Sequence, residues 1–250
     1  MAIDRYADFA QRYDAFFGSF DVHDRCREAF FKQLFERHNV RSVLDCACGT
    51  GRDLHLLQGL GLEVHGSDVS PSMLAQAERN MAAHHFDVPL SQSDFRELPL
   101  TYARRFDAVV CMSSAYLELP DAHELARSFS SMRGVLNEGG ILVVSSGIGD
   151  KLWAEKPRFI PEVSNDAFTR LFVIDYLREG ATFNVVDLYH HPQRKEILVW
   201  SITYRQVYLQ NDLETAIHRA GFLTDEYYGG YQFEPYDVHT SDMLIAVAVK

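Results

Sequence analysis

The chain has 250 residues, 47% of them hydrophobic and 24% charged, and 24 lysines plus arginines stand against 35 aspartates plus glutamates, a formal net charge of −11. That composition excludes a disordered, collagenous or disulfide-stapled chain and supplies enough apolar side chains for one sizeable core. The acidic balance disfavours nucleic acid, which calls for a basic face.

Four cysteines, Cys26, Cys46, Cys48 and Cys111, include no Cys-x-x-Cys pair, so free thiols in a reducing compartment are expected, with neither zinc nor redox chemistry. The start MAIDRYADFAQRYDAFFGSF lacks the basic and then apolar stretch of a signal peptide, and no run approaches the roughly 20 apolar residues of a membrane span. A soluble, cytoplasmic protein is expected.

In chain order, residues 23–38 read as a helix. The strand Arg41-Ser-Val-Leu-Asp45 follows, then a helix over 51–60, the strand Leu62-Glu-Val-His-Gly66, and a helix over 71–84 opened by Ser70-Pro71. A short strand near 88–91 and the apolar strand Phe106-Asp-Ala-Val-Val-Cys-Met112 come next. A helix near 121–136, stopped by Gly139-Gly140, then leads into the strand Ile141-Leu-Val-Val-Ser145. This alternation implies an α/β fold, a mainly parallel sheet with helices on both faces.

After residue 150 the pattern changes. Segments 168–178, 181–190 and 196–208 are rich in aromatic and β-branched residues, separated by polar turns at Glu179-Gly180 and His191-Pro192-Gln193. They predict an antiparallel cap over 166–208, inserted into a single domain spanning 1–250. The parallel pattern resumes with a helix near 210–220, a strand near 222–228 and a last strand from Met243 to Val249.

The sharpest local signal is Val43-Leu-Asp-Cys-Ala-Cys-Gly-Thr-Gly-Arg-Asp53, a buried strand entering a glycine turn and then a helix. Gly49 and Gly51 let a ligand approach the backbone, and the helix start offers unpaired N–H donors. A dinucleotide site would want a third glycine where this chain has Leu54, which weakens a pyrophosphate reading.

Here the sequence resembles the class I S-adenosylmethionine-dependent methyltransferases. Their first motif is similar to this turn, and three later stations follow in register: Gly66-Ser-Asp68-Val69-Ser-Pro-Ser-Met73-Leu74, Ser93-Asp94-Phe95, and Phe106 through Met112-Ser113-Ser114. The resemblance implies a Rossmann-like fold with seven strands, the terminal one antiparallel, a cofactor-binding half over 41–147 and an amino-terminal lid over 1–22. It also implies S-adenosylmethionine as cofactor and S-adenosylhomocysteine as product.

By the same resemblance, Asp68 takes the ribose hydroxyls, and Val69, Met73, Asp94 and Phe95 border the adenine. Asp45, Cys46, Ala47, Cys48, Gly49 and Gly51 form the turn around the cofactor ammonium, and Met112 and Ser113 open onto the transferred methyl. On physical grounds an aromatic face would favour the cationic sulfonium, and Tyr13 in the amino-terminal segment is the candidate neighbour. Taken singly, each residue has a plainer role. Asp68 can cap the following helix, Asp94 can hold a turn, Asp45 can accept backbone donors, and the cysteines can be small core residues. The adjacent pairs His84-His85 and His190-His191 diverge on helix or strand, so no metal is expected.

Within the class the chain is similar to the glycine and sarcosine N-methyltransferases, through Tyr6, Tyr13-Asp14, Cys111 and the Tyr-rich stretch 227–236. It departs from them where Ser114 replaces an asparagine and where Ser145-Ser-Gly-Ile-Gly149 replaces an acid- and arginine-bearing turn. Arg25 and Arg27 both lie near the register of an arginine for the cofactor carboxylate. Tyr116, Glu118 and His239 are candidate general bases.

The expected function is methyl transfer to a small-molecule nitrogen or oxygen, with homo-oligomerisation left open. Rivals are an RNA or protein methyltransferase, or a non-catalytic cofactor-binding regulator.

Overall fold

The computed structural model describes residues 4–18, 20–190 and 196–250; the predicted turn at 191–193 and the second histidine of the 190–191 pair lie outside them. A short helix α1 (Ala10–Tyr13) precedes α2 (Arg25–Arg37), whose first turn Asp24 caps through the Cys26 N–H. Then come β1 (Ser42–Asp45), α3 (Arg52–Gly59), β2 (Glu63–Asp68), α4 (Pro71–Ala83), β3 (Leu90–Gln92), α5 (Leu98–Thr101), β4 (Phe106–Cys111), α6 (Ala122–Gly134) and β5 (Leu136–Ser146).

Ser70 caps α4 with Pro71 in its first turn, and Asp121 caps α6. The chain continues through α7 (Asp150–Glu155), β6 (Phe159–Ser164), β7 (Phe168–Tyr176), β8 (Ala181–Tyr189), β9 (Ile197–Tyr204), α8 (Gln210–Arg219), β10 (Thr224–Tyr228) and β11 (Leu244–Val249).

Seven strands form one sheet in the order β10-β11-β5-β4-β1-β2-β3. Strands β1 to β5 pair in parallel, and β11 runs antiparallel between β5 and β10. The order reverses beside β1, which leaves a crevice beyond the carboxyl ends of β1 and β4. Period-two alternation splits the core. Leu44, Val109, Cys111 and Val144 face α6, α8 and the second sheet, whereas Val43, Val110 and Val143 face α2 and α3.

The second sheet is antiparallel, in the order β6-β7-β8-β9. Its Ile174, Phe183 and Ile202 pack into the same cluster as Phe129 and Leu213, and the buried Tyr208 donates to the Leu119 carbonyl at 3.0 Å. The cap is therefore welded to one face of the main sheet.

Beyond the short helices α1, α5 and α7, which the sequence reading did not include, two strands differ from it. Helix α6 ends at Gly134, and β5 already begins at Leu136, paired to Phe106, and runs through Gly139-Gly140 with a register shift. A Cβ on Gly140 would lie 2.9 and 3.0 Å from the Asn137 and Asp107 carbonyls, whereas Gly139 has open space around it and a φ of +74°, so Gly140 serves close strand packing, Gly139 serves a left-handed turn within β5, and neither is a helix stop. Strand β6 carries Pro161 at an irregular point of pairing with β7. It is an edge strand, where a missing N–H is tolerated and apolar alternation is not required. Among the described residues no helix is long and apolar enough to cross a membrane.

Candidate functional site

The site grows from the turn after β1. Gly49 and Gly51 have φ of +52° and +87°, a left-handed conformation that other residues adopt at a cost. Behind the turn, a Cβ on Gly66 would come within 2.7 Å of Leu90, 2.8 Å of Leu54 and 3.2 Å of the Cys48 sulfur. The close packing that a dinucleotide fold obtains from a third glycine on its helix is achieved here from the strand side, with Leu54 pressed onto Gly66.

Asp68, at the end of β2, accepts the Gly49 N–H on Oδ2 and the Ser70 N–H on Oδ1, both at 2.9 Å. Burial raises its pKa, opposed by those two backbone donors.

A cavity of about 550 Å³ opens over this turn. Tyr13, Cys46, Ala47, Cys48, Gly49, Asp68, Val69, Met73, Asp94, Phe95, Met112 and Ser113 all line it. Asp45 and Gly51 do not. Asp45 is buried and accepts the Ala47 N–H at 3.2 Å, and its pKa is driven well up by burial and then by Asp53. Gly51 caps α3 against Ala77 and Met81.

Of the three candidate bases only Glu118 lines the cavity. Its carboxylate accepts the Tyr6 hydroxyl, and burial raises its pKa. Tyr116 is wholly enclosed in the core, because it points away from Glu118 on the tight turn Ala115–Glu118. His239 is exposed on the loop after Asp237. Neither Tyr116 nor His239 lines this cavity or the next.

Of the two arginines near the expected register, Arg27 lines the cavity and Arg25 does not, and the lining residues Asp53 and Arg96 were not singled out from sequence. Arg27 meets Asp53 at 2.6 Å, both largely buried; burial works against the guanidinium, but Asp53 and then Tyr231 raise its pKa. Arg27 belongs to the 27-30-31-34 stripe of α2 that also buries Phe30, Phe31 and Leu34, a helical signal that separates it from the exposed Arg25. Arg96 chelates Asp94 and also reaches Glu124. Burial raises the Asp94 pKa, yet the Arg96 bonds outweigh it and leave the carboxylate below its ordinary value.

A second cavity, of about 560 Å³, lies between the amino-terminal segment, α7 and the cap. Tyr6, Tyr13, Ser113, Ser114 and Tyr204 line both cavities and so form a neck between them. Ser113 and Ser114 have φ of +56° and +68°. Ser145 and Ser146 hold that pair, through the Ser114 N–H to the Ser145 carbonyl at 2.8 Å and the Ser114 and Ser146 hydroxyls at 2.9 Å. Consecutive left-handed residues other than glycine are strained, and such strain collects at functional sites.

The amino-terminal segment is tied to both sides of the neck. Asp4 accepts from Ser70 and Ser72, Asp14 accepts from Thr50 and Asn80, and Arg12 reaches Asp187 in the cap. Where it leaves the site, His23 Nε2 sits 2.7 Å from His55 Nδ1, and the His55 ring is 4.9 Å from that of His84. Burial, then His55 and Arg52, pushes the His23 pKa down to about 4.

The unfolded chain therefore binds a proton near pH 6.5 that the folded chain refuses until about pH 4. This contribution to stability is intact above pH 6.5 and is lost as pH falls toward 4. The melting midpoint should drop across that window, and less steeply in His23→Gln; equal slopes in the two proteins would remove His23 as the cause.

Residues 43–140 match the family described as Methyltransferase domain. The chain is 33% identical over 146 residues to a glycine/sarcosine N-methyltransferase of Parasynechococcus marenigrum, covering 58% of this chain and 51% of that protein. It is 32% identical over 142 residues to the dTDP-3-amino-3,4,6-trideoxy-alpha-D-glucopyranose N,N-dimethyltransferase of Streptomyces venezuelae, covering 56% and 52%. It thus spans about half the length of these two curated relatives.

In fold it is similar to an S-adenosylmethionine-dependent methyltransferase from Clostridium acetobutylicum, with a TM-score of 0.79 at 18% identity over 98% of each chain. The matched domain, the four motif stations in register and the shared architecture agree: residues 43–140 match a methyltransferase domain, and the fold is similar to that of S-adenosylmethionine-dependent methyltransferases.

Proposed function

We propose that the chain transfers a methyl group from S-adenosylmethionine, held in the first cavity, to a small molecule held in the second. The observation that carries this reading is the pair of cavities meeting at the five-residue neck. The first cavity fits the cofactor by donor chemistry. Each Asp68 oxygen already accepts one backbone N–H and keeps lone-pair capacity for a ribose hydroxyl. Val69, Met73 and Phe95 give an apolar slot for adenine beside Asp94, and Arg27 with Asp53 supplies both charges that an amino-acid tail needs.

When bound, S-adenosylmethionine supplies a methyl on a sulfonium, which needs no covalent help from the protein. The chain's work is alignment. Tyr6, Tyr13, Ser113 and Tyr204 narrow the passage to one line of approach, and near-attack positioning of this kind lowers a barrier by about 7–11 kcal/mol. Glu118, on the first-cavity side and bonded to the neck residue Tyr6, is a carboxylate able to accept a proton. Nitrogen is the favoured acceptor atom because both relatives described above are named N-methyltransferases. The free thiols support a cytoplasmic setting.

The test is incubation with methyl-labelled cofactor and a metabolite extract. Label should appear in a small-molecule fraction; tight S-adenosylhomocysteine binding with no transfer would replace the enzyme reading with a regulatory one.

A further inference from the structure

The second cavity has two kinds of lining. Its interior is aromatic. Phe9, fully buried, stacks on Trp200 with ring centroids 4.3 Å apart and planes 5° from parallel, Phe16 stacks on Phe172 at 5.5 Å, and Phe172 meets Phe183 edge-on. Its rim is acidic. Glu155, Glu162 and Asp242 face it with one cation, Lys151, and Asp242 holds that lysine at 2.6 Å. Behind Phe16 lies Arg170, stacked on that ring at 4.3 Å and chelated by Asp187, with no exposed side-chain surface.

A substrate carboxylate entering this cavity meets, among the described lining residues, no cation that is not already paired, and a desolvated carboxylate without a partner is costly. A substrate ammonium meets the opposite conditions: aromatic faces that attract cations and two glutamates at the mouth. Volume points the same way. About 560 Å³ falls in the range of roughly 300–1,000 Å³ that encloses a ring-bearing ligand, and glycine would leave most of it to water.

Building on the two-cavity reading above, we infer that the acceptor is an amine, cationic in water, attached to an apolar ring-bearing body, and that free amino acids are excluded. Its aromatic or alicyclic body occupies the Phe9, Phe16, Phe172 and Trp200 box while its nitrogen points to the neck. There the ammonium gives up its proton to Glu118 or to water. The nitrogen lone pair then forms the new bond to the methyl carbon as the carbon–sulfur bond breaks. The breaking bond's electron pair stays on sulfur, leaving S-adenosylhomocysteine and a methylated ammonium.

Calorimetry on the full chain saturated with S-adenosylhomocysteine tests this with three probes: phenethylamine, 3-phenylpropionate and glycine. Phenethylamine should bind at least about tenfold more tightly than either other probe, a difference of about 1.4 kcal/mol. Its affinity should fall several-fold in the rim variant Glu155→Gln with Glu162→Gln, which should not weaken 3-phenylpropionate. Trp200→Ala should weaken phenethylamine by about tenfold or more. Phenethylamine binding too weak to measure, or within tenfold of either other probe, overturns the inference, as does a rim variant that binds phenethylamine like the parent. Because S-adenosylhomocysteine is titrated first, failure of the cofactor reading shows at that step, separately from failure of the acceptor class.

Discussion

Asp187→Ala should destabilise the protein by about 3–5 kcal/mol, the cost of breaking a buried ion pair by removing one partner. Arg170 and Asp187 face each other directly across β7 and β8. Nε bonds Oδ1 at 2.6 Å and Nη2 bonds Oδ2 at 2.9 Å, with both side chains fully buried. Arg170 is already short of one partner, since its Nη1 has no hydrogen bond among the described residues. Losing Asp187 would leave a guanidinium among Phe9, Phe16 and Phe168. Cation–π attraction of about 0.5–2 kcal/mol cannot offset that.

At roughly 2–4 °C per kcal/mol for a chain of this size, the melting midpoint should fall by about 6–20 °C. The double substitution Asp187→Leu with Arg170→Met should recover most of the loss, because it removes both charges and keeps the volume. Scanning calorimetry on the three proteins distinguishes the cases; an unchanged midpoint in Asp187→Ala would sink the argument. Arg12 loses its partner in the same variant, so the amino-terminal segment should also become more sensitive to protease.

Asp68→Asn should weaken S-adenosylhomocysteine binding by about 10- to 150-fold. A hydrogen bond to a charged group contributes about 1.5–3 kcal/mol, and 1.4 kcal/mol is a factor of ten. The substitution keeps the side chain's size while replacing one acceptor oxygen with an N–H donor. That donor would oppose either the Gly49 or the Ser70 N–H, so part of the loss arises from the turn itself. Titration calorimetry on a variant whose circular dichroism matches the parent measures the effect, and parental affinity in that variant would detach Asp68 from the cofactor.

The alternation of strands and helices up to Ser146 was legible in the sequence because each element is set locally. Buried parallel strands read as apolar runs, and Asp24, Ser70 and Asp121 mark helix starts. The glycine turn and Asp68 were legible for the same reason. What escaped depends on contacts between distant segments. Strand β6 is an edge strand with a proline, and only its pairing with β7 defines it. Asp53 gives no sign of its arginine from spacing, because Arg27 reaches it from another helix. Tyr204 joins the neck through the docking of the cap, which no local pattern encodes. Tyr116 shows the limit in the other direction: a residue type suited to proton transfer, two positions from Glu118, turns into the core instead.

The cap and the main sheet share one hydrophobic cluster, with Ile174, Phe183 and Ile202 packed into the same mass as Phe129 and Leu213. The part of the chain that lines the second cavity is consequently not an interchangeable module. A transplanted cap from a relative would bring its own inner face into a core fitted to this one, where mismatched volume is destabilising. A change of substrate is more readily reached through single replacements at rim and box positions. Those at the box draw on the stability of the whole chain, whereas those at the rim are nearly free of that constraint.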